Sequence, residues 1–151
     1  MRKKLYWVIA GLAIVFALMQ LANPSRVNPP VTNPFPITNA PPQVAAMLRA
    51  ACYDCHSDET RWPWYSHIAP MSWQIANDVN EGRNNLNLSD WPTDPMRAAK
   101  RMEAMSEEID YHEMPLKKYT LIHADARLTD SQRQAMEDWL QAQAKILKAQ
   151  K

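Results

Sequence analysis

Seven of the chain's twelve prolines fall between Pro24 and Pro42. Proline fixes φ and has no N–H to donate, so residues 23–40 can be neither helix nor central strand. That stretch divides the 151 residues into a short N-terminal part and one domain of ordinary size. Residues 1–4 read Met-Arg-Lys-Lys, and residues 5–19 are apolar without interruption. Cations before an apolar run are the layout of an export signal. A cut after Ala22 would put Gln20 where a small residue is wanted, so residues 1–22 are read as an uncleaved signal-anchor, a transmembrane helix. The positive-inside rule then keeps the cations in the cytoplasm of a bacterium and sends the remainder to the periplasm. A cleaved signal would leave the same domain free there. Residues 23–40 are read as a semi-stiff tether; the competing reading is an arm packed on the domain, anchored by Phe35 and Ile37.

From residue 41 the pattern turns helical. Val44, Met47, Leu48 and Ala51 share one helix face, and this first helix runs into Cys52. A second is expected over residues 70–81 with Gly82 as its C-cap. Asp94-Pro95 starts a third, with Ala98, Met102, Met105 and Ile109 as its stripe. Thr129 and Gln132 form a capping box for a fourth, lined inward by Ala135, Met136, Trp139, Leu140, Ile146 and Leu147. No run alternates with period 2, so the domain, residues 41–151, is expected to be all-α. Two glycines in all exclude glycine-rich phosphate loops. A net charge of +1 gives no basic footprint for nucleic acid.

Residues 52–56 read Cys52-Tyr53-Asp54-Cys55-His56. CxxCH is the attachment signature of haem c. Two thiols three residues apart at a helix end can each form a thioether to one porphyrin vinyl group. The next residue then offers its imidazole to the iron. Three other readings compete. A thioredoxin-like pair expects a βαβ context, which is missing. Zinc could take Cys52, Cys55 and two of His56, His67, His112 and His123, though not at finger-like spacing. A disulfide across so small a loop would stabilise little.

A low-spin iron needs a second axial ligand. Met47, Met102, Met105 and Met136 sit at core spacing. Met114 lies past the third helix, in Tyr111-His112-Glu113-Met114-Pro115, where proline stops the helix and presents the preceding side chain. His112, Met71, His67 and an open position are the rivals. CxxCH after a helix, Met-Pro in a loop and a last helix with an inward aromatic resemble a class I cytochrome c. Residues 52–83 and 113–139 are similar, more narrowly, to a bacterial family of single-CxxCH haem-binding domains, over roughly residues 35–142. The resemblance implies a bundle of about four helices around one covalent haem, with His56 as proximal and Met114 as distal iron ligand. It also implies that Trp139 on the last helix lies near the face of residues 44–51, and that a proline carbonyl, Pro70 or Pro63, accepts from the His56 Nδ1–H. Arg61, Trp62, Tyr65 and Trp73 lie in the right segment to surround the haem or bind its propionates.

The function expected is a membrane-tethered periplasmic cytochrome that passes single electrons between periplasmic or membrane redox proteins, with no small-molecule substrate and no nucleic acid. Lys117 and Lys118 are a candidate docking patch. A haem-based redox or gas sensor with a displaceable sixth ligand is the alternative. No nucleophile–base pair and no peroxidase-like Arg and distal His can be assigned, so an enzyme is not expected.

Overall fold

The computed structural model describes residues 2–150, which contain seven α-helices and no strand. The helices are α1 (Arg2–Met19), α2 (Pro42–Ala51), α3 (Tyr53–His56), α4 (Met71–Asn85), α5 (Pro95–Asp110), α6 (Lys117–Ile122) and α7 (Asp130–Lys148). The all-α expectation holds, and the four expected helices are α2, α4, α5 and α7.

The long helices form for local reasons. The Asp94 side chain accepts from the Arg97 amide, and Pro95 occupies the first turn of α5. Thr129 and Gln132 close the capping box of α7. The stripe of Ala98, Met102, Met105 and Ile109 is buried as its spacing predicts, and α7 lays Met136, Trp139, Leu140 and Ala144 along it. Ala135 and Ile146, expected inside, face outward. The core of α5 and α7 continues through Val44 and Leu48 of α2, so Trp139 does share a cluster with the α2 face.

Three expectations need correction. Residues 23–40 are not a free tether. The Phe35 and Ile37 side chains are buried in the core, and the Phe35 ring meets Trp91 edge-on at 4.6 Å and Trp139 at 5.9 Å. The backbone of this arm is bonded as well: Thr32 and Asn33 donate to the Ser89 carbonyl, Phe35 to that of Leu88, and Trp91 donates back to Asn33. Extended backbone with free N–H groups can pair with any segment beside it, so proline richness excludes a helix without excluding docking. Second, α4 continues through Gly82 to Asn85. Third, no helix among the described residues is long and apolar enough to cross a membrane. The apolar part of α1 rises only about 22 Å against a hydrocarbon core of about 30 Å, and its first turn holds three cations.

Candidate functional site: the CxxCH motif and its cleft

Cys52 closes α2, and residues 53–56 form the single turn α3. The His56 amide donates to the Cys52 carbonyl, so the motif is a tight helical hook. Segment 86–91 seats it. The Leu88 amide donates to the His56 carbonyl at 2.7 Å, while the Leu88 carbonyl accepts from Phe35 of the arm. The arm therefore holds the segment that holds the motif.

The His56 ring is fixed by the end of α4. Its Nδ1 lies 2.9 Å from the Gly82 carbonyl and 3.0 Å from that of Leu86. Carbonyl oxygens only accept, so Nδ1 carries the proton and the Nε2 lone pair is free for a metal. The expected proline acceptors are otherwise engaged: the Pro63 carbonyl accepts from Ser66 and the Pro70 carbonyl from Trp73. The Gly82 carbonyl also accepts from the Leu86 amide, so the imidazole is the second donor to an oxygen with two lone pairs. A Cβ at Gly82 would stand 2.5 Å from the Cys55 carbonyl oxygen. Glycine is therefore what lets α4 come this close to the motif.

Beside the motif lies a cleft that is open at its mouth. Cys55 lines it, as do Met71, Ile75 and Val79, an i, i+4, i+8 stripe of α4. Leu116, Tyr119 and Ile122 line it on the α6 side. Burial pushes the Cys52 thiol up to about 12 and the Cys55 thiol up to about 11. Both are protonated at neutral pH, the reverse of the thiolate that thiol–disulfide exchange requires. No three His, Cys, Asp or Glu side chains converge as a metal site among the described residues, which leaves the zinc reading without a ligand set.

The expected haem-surrounding residues have their polar atoms engaged within the protein. Arg61 donates from its backbone N, Nε and Nη2 to Asp54. The Trp62 indole donates to Asn28 and that of Trp73 to the Ala22 carbonyl. The Tyr65 hydroxyl lies 2.6 Å from His123 Nε2. Arg61 and Tyr65 line the cleft; Trp62 and Trp73 do not. Lys118 pairs with Asp78 at 2.7 Å, tying α6 to α4. Met114 is half-buried in the turn after α5, its amide donating to the Glu108 carbonyl and its carbonyl accepting from Arg133. It is not among the residues lining the cleft, whereas Met71 is.

Sequence reasoning missed Asp54 and Tyr119, and named His123 only as a candidate zinc ligand. Asp54, inside the motif, is buried and accepts from Arg61 and from the Tyr119 hydroxyl at 2.8 Å. The Tyr119 ring stacks on His123 with centroids 4.0 Å apart. The i, i+4 spacing of Tyr119 and His123 was the available signal.

The sequence profile of the haem-binding domain family matches residues 14–142. The chain belongs to the haem-binding domain family. No curated protein and no solved structure matches it. As the chain of a haem-binding protein, the motif is coherent. Its donors fit an iron porphyrin: two thiols three residues apart and an imidazole with one nitrogen free, with Cys55 lining the cleft and Cys52 and His56 outside its lining.

Proposed function

We propose that this haem-binding protein is an exported c-type cytochrome that relays single electrons between redox proteins at the membrane. The observation that carries this reading is the His56 ring, held by the carbonyls of Gly82 in the last turn of α4 and of Leu86 just beyond it, with Nε2 free. In this reading Cys52 and Cys55 hold one haem covalently, His56 is the proximal ligand and Met114 the distal one. The haem supplies a reversible one-electron iron couple when bound. The protein's residues do the rest. The Gly82 and Leu86 carbonyls orient the imidazole and enrich it electronically. The α4 stripe excludes water. Asp54 fixes the loop of Arg61 and the α6 tyrosine around the cleft. Glu108 and Arg133 hold the Met114 backbone.

Export rests on the cations and apolar residues of α1. In place of a full span, we propose that α1 is retained and inserts in lipid. Its residues 5–19 are apolar on every side, and none of its residues is buried against the domain. A helix of that kind gains nothing from water.

The test is the ferric and ferrous spectrum of the matured protein. A sulfur-to-iron charge-transfer band, lost in Met114→Ala with the haem still attached, is expected. His56→Ala should abolish holoprotein accumulation. The alternative is a haem-based sensor with a displaceable sixth ligand. Rapid CO binding to the ferrous wild type, with no charge-transfer band, would establish that reading instead.

A further inference from the structure

The junction between α1 and the domain has no slack. Gln20 follows the last turn of α1 and pairs with Ala69 through both side-chain atoms. Its Oε1 accepts from the Ala69 amide at 2.9 Å, and its Nε2 donates to the Ala69 carbonyl at 3.3 Å. Two residues on, the Ala22 carbonyl accepts from the Trp73 indole. Arg26 then donates to the Ser66 carbonyl, and Asn28 donates to that of Thr60. The segment leaving α1 is thus bonded to residues 60–73 at each step. Wherever α1 ends in the headgroup region, residues 68–73 must be there too.

The surface at that place is unusual. Ile68, Met71 and Trp73 keep between 38% and 40% of their area exposed, and Trp64 keeps 75%. Scattered apolar residues need no explanation, but these four lie within ten positions of one another, beside the end of a wholly apolar helix. Tryptophan is the residue type enriched where hydrocarbon meets water, because its ring is apolar and its N–H polar.

We infer that the face carrying Trp64, Ile68, Met71 and Trp73 rests on the lipid bilayer surface, so that the haem domain is held in one orientation. Met71 lines the cleft as well, so the seated face borders the cleft. The inference rests on the proposed retention of α1 in lipid. It replaces a swinging domain with a seated one, and it makes the membrane plane the direction from which partners reach this side of the cleft.

The test uses the full-length holoprotein in vesicles of phosphatidylethanolamine and phosphatidylglycerol. Benzoylphenylalanine is placed at position 64 in one variant and at position 135, exposed on α7, in another. Haem absorbance confirms that each is folded. On illumination, lipid adducts are expected at position 64 and not at 135. Gln20→Ala combined with Trp73→Phe should reduce the adducts at 64 several-fold while the protein still sediments with the vesicles. Sedimentation with adducts only to protein at position 64, whether a second copy or another chain, would overturn the seated face and leave the retained helix standing. Equal lipid labelling at 64 and 135 would overturn it too. Failure to sediment would overturn the retained helix, and the seated face with it.

Discussion

Gly82 shows how one missing side chain seats a motif. The atoms nearest an added Cβ are the Cys55 carbonyl oxygen at 2.5 Å and its carbon at 3.0 Å. Both are backbone, so neither can swing away. Gly82→Ala should push α4 off the motif and lengthen the His56 bond to the Gly82 carbonyl. We expect a loss of about 1–3 kcal/mol of stability, read as a lower Tm, and a lower haem-to-protein ratio in the purified protein. An unchanged Tm and ratio would mean that the contact relaxes at no cost. Residue chemistry was only half legible here. Cys52, Cys55 and His56 announce themselves by spacing. Glycine also commonly ends helices, so nothing local told a C-cap from a close approach to a residue 27 positions earlier. The His56 acceptor was missed for the same reason, since it depends on where α4 ends in space.

Among the elements, the arm of residues 31–40 belongs to the domain as firmly as a helix does. Phe35 is 2% exposed and sits between Trp91 and Trp139. Phe35→Ala should cost about 3–5 kcal/mol, measured by denaturant unfolding of the holoprotein. A cost below about 1 kcal/mol would show that the arm is an ornament. The effect should reach the motif, because Leu88 accepts from Phe35 on one side and donates to His56 on the other. Helices α5 and α7 were legible because their caps and stripes are written within a few residues. The arm has no period, and only two large apolar residues among prolines hinted at burial. The short helices α3 and α6 carry too few turns for any periodic signal.

At the level of the whole molecule, an apolar core of α2, α5, α7 and the arm backs an open cleft bounded by α4 and α6. Tyr53, inside the motif, faces this arrangement as a buried phenol with the Arg49 guanidinium 4.7 Å above its ring. Burial, partly offset by Arg49, pushes its pKa up to about 12 from 10.0. The folded chain therefore holds a proton that the unfolded chain releases. The stabilisation is complete below pH 10 and is lost as pH rises from about 10 toward 12. The Tm of the holoprotein should be flat up to pH 10 and fall above it. Tyr53→Phe should soften that fall, with Tyr119, also shifted upward, accounting for the remainder. An identical decline in the variant would assign the alkaline loss elsewhere. The anchoring of His56 also has a consequence in time. The carbonyl of Leu86 lies 30 residues beyond the imidazole it restrains. A chain exported N-terminus first would therefore deliver the CxxCH before the segment that seats it, and the motif would stand unseated until the end of α4 follows.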